Sequence, residues 1–159
     1  MLPQIKTILY AADLREKGCR NAYRFVVAMA KATKAKLVVM HAMEPVNSSV
    51  AGIIESQVSK EEYGRIKEEA LAHLRLSLEE QIKRFCEDEL DGEYPCAEPE
   101  IEVVEGAAAR SILALADKHS VDLIVMGSRI HSALGQALLG SVVNKVIHHT
   151  RIPVTVIPL

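Results

Sequence analysis

Long apolar runs, paired cysteine motifs and tryptophan are all missing from this sequence. No apolar run among the 159 residues approaches the roughly 20 that a membrane-spanning helix needs. Residues 1–6 carry no basic stretch ahead of an apolar one, so no secretory signal is predicted. The three cysteines, Cys19, Cys86 and Cys96, form no CxxC pair, and such an odd, scattered set is typical of free thiols in a reducing compartment. We therefore expect a soluble cytoplasmic protein.

Aromatic residues and dense basic clusters are also scarce. Only 4% of the residues are aromatic, and the formal net charge is −2. Non-specific binding of nucleic acid needs a basic surface interleaved with aromatic rings, so no nucleic-acid partner is predicted. With 49% apolar residues, a chain of this length buries roughly 70% of its unfolded surface without a metal or a disulfide. We predict one domain over residues 1–159.

Acidic residues are concentrated in one segment. Nine of them lie between Phe85 and Ala109, a stretch without lysine or arginine. One interpretation is a docking site for a basic partner. The other is a solvated loop followed by an edge strand whose glutamates prevent unwanted strand pairing. We favour the second interpretation.

Several catalytic and metal-binding motifs are absent. The sequence contains no GxSxG nucleophile elbow, no GxGxxG dinucleotide fingerprint, and neither of the phosphate loops HxGH and SGGxDS. The six histidines show no HxxxH or HExxH spacing, which argues against a zinc site. His41 ends an apolar strand and is interpreted as structural, while His148 and His149 fall near a helix C-terminus, where imidazolium is favourable. We predict no enzyme and no structural metal.

Strand and helix patterns alternate regularly along the chain. Five short apolar runs predict strands at Ile5–Tyr10, Leu37–Met40, Ile101–Val104, Leu123–Met126 and Val154–Ile157. Residues Ala22, Phe25, Val26, Met29, Ala30 and Thr33 mark one face of the first helix. A long amphipathic helix runs from Tyr63 to Phe85, whereas residues 44–59 are predicted to form a loop.

This alternation predicts an α/β fold, an open five-stranded parallel sheet with helices on both faces. Periodicity alone leaves two strand orders open, 3-2-1-4-5 and 2-1-3-4-5. In either order, ligands bind beyond the carboxyl ends of the strands, where the strand order reverses. That rule directs attention to Asp13, after the first strand, and to Gly127, after the fourth.

A glycine-punctuated segment, residues 127–141, carries the strongest functional signal. Gly127 permits close approach of the backbone to a ligand, because it has no Cβ. Gly140 and Ser141 precede a helix whose free N–H groups and dipole attract an anion such as phosphate. The alternative is tight packing, with Ser141 as the residue that caps the helix.

Several segments resemble the universal stress protein family, and together they cover nearly the whole chain. Ile8–Asp13 is similar to the family's first strand with its terminal aspartate, and Leu37–Ala42 is similar to its second strand. The most specific matches are residues 122–129 and 138–142, while residues 153–158 resemble the closing strand. The resemblance implies a Rossmann-like sheet, for which we predict the order 3-2-1-4-5, and a cytoplasmic regulatory role in the stress response.

The same resemblance implies a nucleotide site. ATP-binding members carry Gly-x2-Gly-x9-Gly-Ser/Thr, which Gly127, Gly140 and Ser141 fit, whereas Ile130 replaces the second glycine. Carried over residue by residue, the implied site consists of Ala11, Ala12, Asp13, Ala42, Met126, Gly127, Arg129, Gly140, Ser141 and Val142. Asp13 either accepts hydrogen bonds from ribose hydroxyls or helps to hold a divalent cation; its alternative role is to cap the next helix. Because a β-branched residue disfavours positive φ, we expect Ile130 to weaken ATP binding.

Two further functions remain open beside an ATP-binding regulator. One is a nucleotide-free dimeric adaptor of the same family, and the other is a slow ATP hydrolase. The apolar last strand, Val154–Ile157, should lie at a sheet edge, an exposure that isolated proteins normally avoid. We expect it to pair with its copy in a homodimer, as members of the resembled family often do.

Overall fold

Five strands and five helices lie within residues 2–14, 19–128 and 139–159, which the computed structural model describes. One helix connects each pair of successive strands, except the second and third strands, which two helices connect. The strands are β1 (Thr7–Ala11), β2 (Lys36–Met43), β3 (Glu100–Glu105), β4 (Leu123–Ser128) and β5 (Val154–Pro158). The helices are α1 (Cys19–Thr33), α2 (Ser48–Gln57), α3 (Lys60–Glu89), α4 (Ala108–Lys118) and α5 (Ser141–His149). Every strand that the apolar runs predict overlaps an observed strand.

All strand pairs are parallel, and the order across the sheet is β3-β2-β1-β4-β5. β1 lies at the centre, where Leu9 is in register with Val38 of β2 and with Ile124 of β4. The predicted order 3-2-1-4-5 is therefore confirmed. The strand order reverses between β1 and β4, so this is the point at which a ligand of such a sheet binds.

Two separate cores explain why the central strands have continuous apolar runs. Successive residues of a strand point to opposite faces of the sheet. On one face, Ile8 and Tyr10 pack with residues of α1 and α3, such as Val26. On the other face, Leu9 packs with residues of α4 and α5, such as Val146. A strand covered on both faces needs apolar residues at every position.

Helix α2 lies in the segment that the sequence predicts as a loop, so that prediction is wrong. The side chain of Asn47 caps the helix by accepting a hydrogen bond from the backbone N–H of Val50, at 2.9 Å. At the other end, the N–H of Val58 donates to the carbonyl of Ile54 at 3.0 Å. None of the residues of α2 is buried, and for that reason the segment has no apolar periodicity to reveal it.

The buried face of α1 also differs from the predicted one. Phe25 is 61% exposed, whereas Tyr23 and Val27 are buried. The ring of Tyr23 packs against Tyr10, with centroids 5.8 Å apart, and edge-on against Phe85 of α3, at 4.8 Å. This aromatic contact rotates α1 so that Tyr23 faces the core and Phe25 faces solvent.

Helix α3 is longer than its predicted span and is buried only in part. Its fully buried residues, Leu78, Ile82, Phe85 and Cys86, all lie in the second half, while Ile66 in the first half is 48% exposed. Despite its length, neither α3 nor any other helix in the described ranges is long and apolar enough to cross a membrane.

Candidate functional site

A cleft of about 290 Å³ opens where the carboxyl ends of β1 and β4 meet the start of α5. Of the predicted site residues, it is lined by Ala11, Ala12, Asp13, Met126, Gly127, Gly140, Ser141 and Val142. Ile112, Ser128 and Val143 line it as well and were not predicted. Two segments separated by more than a hundred residues thus meet at the point where the strand order reverses.

The two remaining predicted residues are placed differently. Ala42 lies in β2, in register with Val104 of β3, and is not among the residues that line the cleft. Arg129 lies outside the described residues, as does Ile130.

The start of α5 has no side-chain cap. Gly140 is the N-cap residue, with φ −59° and ψ 153°, and Ser141 is the first residue of the helix. The alternative interpretation, in which Ser141 caps the helix, is therefore wrong, because the N-cap lies one residue earlier, at a residue without a side chain. The first N–H groups of a helix have no partner within the helix, so an anion in the cleft can accept hydrogen bonds from them.

Ser128, the last residue of β4, fixes this helix start in position. Ser128 is only 4% exposed, and its Oγ accepts a hydrogen bond from the N–H of Gly140 at 3.2 Å. The end of a central strand is thereby tied to the N-cap of α5. The sequence signal for this contact is weak. Ser128 directly follows Gly127 at the end of a buried apolar run.

Gly127 has a packing role in addition to its place beside the cleft. A Cβ added at this position would lie 2.7 Å from Cδ1 of Leu159, which is too close for any real contact. The space that a side chain would need is therefore filled by the C-terminal leucine. The backbone of Gly127 faces the cleft, but its missing Cβ makes room for Leu159.

The end of β1 is held rigidly by β2. The N–H of Ala12 donates to the carbonyl of Met40 at 2.8 Å. The Nδ1 of His41 lies 2.8 Å from the carbonyl oxygen of Ala12, so a proton on Nδ1 completes a hydrogen bond. His41 therefore orients the backbone that leads to Asp13, which agrees with its interpretation as a structural residue. The carbonyl of Asp13 accepts a further hydrogen bond from the thiol of Cys19.

The described part of the cleft contains one ionisable side chain, Asp13, and no lysine or arginine. Any negative charge on a ligand would therefore be balanced, within these residues, by N–H groups and by the dipole of α5, which places roughly half a positive charge at a helix N-terminus.

A second group of polar residues lies at the edge strand β3. One ligand atom each from Glu100, Glu102 and His119 can be chosen so that all lie within 4.8 Å of one another. His119 Nε2 is 2.7 Å from the carboxylate of Glu102. Burial raises the pKa of Glu102, but hydrogen bonds from Lys118 and His119 lower it by a larger amount. The pKa of Glu102 is therefore below its ordinary value. Lys36 and Lys118 already pair with the two carboxylates, and their charges oppose a metal ion there.

Comparison with known proteins agrees with this architecture. The model of the universal stress protein family matches residues 4–158. A Thermus aquaticus protein, described as a universal stress protein in the QAH/OAS sulfhydrylase 3'region, is 30% identical over 155 residues, which are 96% of this chain and 98% of that protein.

Solved structures of the same kind share the fold. The universal stress protein UspA from Lactobacillus plantarum superposes with a TM-score of 0.65 at 19% identity, covering 98% of this chain and 99% of its own. A universal stress protein crystallised in complex with cAMP superposes with a TM-score of 0.64 at 21% identity, covering 98% of both chains.

Proposed function

Because the chain belongs to the universal stress protein family, we propose that it is a regulatory domain that binds an adenine nucleotide in the cleft between β1 and β4. The observation that carries this proposal is the uncapped start of α5, whose first residues line the cleft at the carboxyl ends of the central strands. Backbone N–H groups arranged in this way bind phosphate without the help of a cationic side chain.

The lining residues support a division of the cleft into two parts. Phosphate oxygens accept hydrogen bonds from the N–H groups of Ser141 and Val142 and from the Ser141 hydroxyl. The adenine and ribose lie beside Ala11 and Ala12, whose small side chains leave room for a flat ring. Asp13 is the acidic residue of the described lining, so we assign to it the ribose hydroxyls or a divalent cation that accompanies the phosphates.

The choice of an adenine nucleotide is supported by the relative in complex with cAMP. That ligand shares adenine, ribose and one phosphate with ATP and differs from it in charge and size. We propose ATP as the ligand of this chain, bound weakly because Ile130 stands at the family's second glycine position.

We assign the domain a regulatory rather than a catalytic role, in the cytoplasm. Among the described lining residues only Asp13 has the carboxylate of a general base, and we assign it instead to the ribose hydroxyls or a cation. The described lining has no histidine, lysine, cysteine or glutamate. Three scattered cysteines without a CxxC pair are consistent with a reducing compartment.

The test begins with the protein as purified. Denaturing it and analysing the released small molecules detects nucleotide that was retained from the cell. Calorimetric titrations with Mg-ATP and with cAMP then measure affinity, and we expect saturable binding of one ATP per chain. Absence of heat and of any rise in Tm with either nucleotide at millimolar concentration would favour the nucleotide-free adaptor. Phosphate release that scales with protein and vanishes in Asp13→Ala would favour the hydrolase.

An adaptor and a regulator both act by binding a partner. We propose that this chain binds a second copy of itself through β5 to form a homodimer. On one side β5 pairs with β4, and no other described strand covers its second side. Residues 154–158 carry no charge, whereas the opposite edge strand, β3, contains three glutamates. Charged residues on an edge oppose strand pairing, so self-association is favoured at β5.

Light scattering measures the assembly directly. We expect a dimer mass at micromolar concentration and a shift towards monomer in Thr155→Lys, which places a charge on the edge. Thr33→Lys, on the exposed surface of α1, is the matched control and should stay dimeric. A monomer mass for the unmodified protein would contradict this interface.

A further inference from the structure

A second cavity, of about 170 Å³, lies on the opposite face of the sheet from the nucleotide cleft. Its walls come from β1, β2, α1 and α3, the elements of the core that contains Tyr10 and Val39. The cleft described above belongs to the other core, with Met126 and Val143. The two spaces have only Ala12 and Asp13 in common among the described residues, so they are distinct sites.

Three aromatic rings dominate the wall of this cavity. Tyr10, Tyr23 and Phe85 are 3–5% exposed, and Tyr23 stands between the other two at centroid distances of 5.8 and 4.8 Å. Leu78 and Ile82 of α3 complete the apolar lining. Aromatic rings attract a further ring in edge-to-face or offset geometry, so the wall favours a flat aromatic ligand over a branched aliphatic one.

The volume limits the ligand to one ring. A dry apolar cavity of roughly 150 Å³ accommodates benzene, which is close to the 170 Å³ available here. A single ring with one small substituent therefore fills the space, and a nucleobase joined to a sugar does not fit into it.

The two arginines that line the cavity are already paired with carboxylates. Arg20 pairs with Asp88 at 2.9 Å and with Glu89 at 2.8 Å, and Arg84 pairs with Glu80. An anionic ligand would have to compete with these carboxylates for the guanidinium groups. A neutral ligand is favoured because it leaves these three ion pairs intact.

Tyr23 contributes its ring, and not its hydroxyl, to the cavity. The hydroxyl of Tyr23 is buried and has no hydrogen-bond partner among the described residues, and a buried hydroxyl without a partner is unfavourable. Burial raises the pKa of Tyr23, so the group stays a neutral phenol that can donate or accept. The Tyr23 hydroxyl is closed off even from a molecule the size of water, so a ligand in the cavity meets the ring of Tyr23 and not its hydroxyl.

We propose that this cavity is a binding site for a small neutral aromatic molecule, a single ring with one small substituent. The site lies on the opposite face of the sheet from the nucleotide cleft and shares only Ala12 and Asp13 with it among the described residues. It is formed by the contact of α1 with α3 over the end of β1.

Phenol and benzoate are the probes, because they share the ring and differ in charge at neutral pH. We expect saturable phenol binding by calorimetry and magnetisation transfer between phenol protons and the rings of Tyr10, Tyr23 and Phe85 in NMR spectra. Benzoate should bind at least 10-fold more weakly. Equal affinity for both, or no transfer to these rings, would overturn the proposal.

Variants locate the bound probe. Gln81 is exposed and lines the mouth of the cavity, so Gln81→Trp should obstruct it and weaken phenol binding at least 10-fold without disturbing the core. Glu87→Trp, an exposed position of the same helix that does not line the cavity, is the matched control and should bind phenol normally. Unchanged affinity in Gln81→Trp would contradict the site.

Gly140→Val distinguishes this proposal from the nucleotide site. It alters the cleft alone, so phenol should bind to it as to the unmodified protein, whatever happens to ATP. Loss of phenol binding in Gly140→Val would place the probe in the nucleotide cleft and refute the second site.

Discussion

The substitution Gly140→Val should separate nucleotide binding from fold stability. Gly140 has φ −59°, a conformation that any residue adopts, and an added Cβ meets Ser128 Oγ at 3.7 Å, an ordinary contact distance. The remaining cost is that of replacing a good N-cap residue with a poor one, about 1 kcal/mol. For a chain of this length, such a cost lowers Tm by about 2–4 °C.

The effect on binding should be much larger. The valine methyl groups stand beside the Ser128 hydroxyl and keep a phosphate away from the first N–H groups of α5. A hydrogen bond to a charged group contributes about 1.5–3 kcal/mol, so the loss of one weakens binding by roughly 10- to 150-fold.

Titration with Mg-ATP and thermal unfolding of the same samples measure the two effects together. Gly64→Val, at a position in α3 with open space around the added Cβ, is the matched control and should leave ATP affinity unchanged. If the unmodified protein binds too weakly for calorimetry, Ile130→Gly serves as the parent for both variants. Equal ATP affinity with and without Gly140→Val would refute the assignment of phosphate to the start of α5.

Three further predictions concern single residues. Ile130→Gly should strengthen ATP binding by about 5- to 150-fold in calorimetry, because glycine avoids the backbone strain of about 1–3 kcal/mol that isoleucine would suffer in the ATP-bound conformation expected at the family's second glycine position; equal affinity would contradict this. Hydrogen bonds from Arg24 and Arg20 lower the pKa of Glu89 from 4.5 to about 2, so its stabilising effect is present above pH 4.5 and is lost as pH falls towards 2. The difference in urea stability between the protein and Glu89→Gln should therefore shrink over that range, and a constant difference would refute it. Asp122 Oδ2 accepts hydrogen bonds from the N–H groups of Lys6 and Thr7 at 2.7 and 2.9 Å, so Asp122→Ala should cost about 2–4 kcal/mol in urea unfolding and Asp122→Asn less than half of that.

The strands could be predicted because a strand that is buried on both faces has a continuous apolar run in the sequence. Val38 and Ile124 are completely buried and lie in uninterrupted apolar runs. The strand order required the family resemblance, since periodicity says nothing about which strands are neighbours. Helix α2 was missed for the opposite reason, because an exposed helix built from serine, glycine and isoleucine has no one-sided apolar pattern.

The position of the cleft follows from topology, but its construction does not. Asp13 and Gly127 could be assigned to it because the ends of neighbouring parallel strands must meet at one edge of the sheet. The hydrogen bond between Ser128 and Gly140, and the packing of Leu159 against Gly127, depend on how distant segments approach each other. The aromatic cavity is harder still to predict, because Tyr23 and Phe85 lie 62 positions apart in the sequence, in two different helices.

The acidic segment between Phe85 and Ala109 has one feature that the sequence predicts and one that it does not. Its strand lies at the edge of the sheet, as predicted, but several of its carboxylates are paired within the chain rather than simply solvated. The ion pairs join Glu89 to Arg20 and Arg24, Glu100 to Lys36, Glu102 to Lys118, and Glu105 to Lys67. Each exposed pair contributes only about 0–1 kcal/mol, so their main consequence is electrostatic.

A basic partner at β3 would have to displace lysines that are already in place, and a second copy of this strand would bring three more glutamates towards the same edge. Neither obstacle exists at β5, where the edge is uncharged, so the distribution of charge between the two edges favours β5 as the site of self-association.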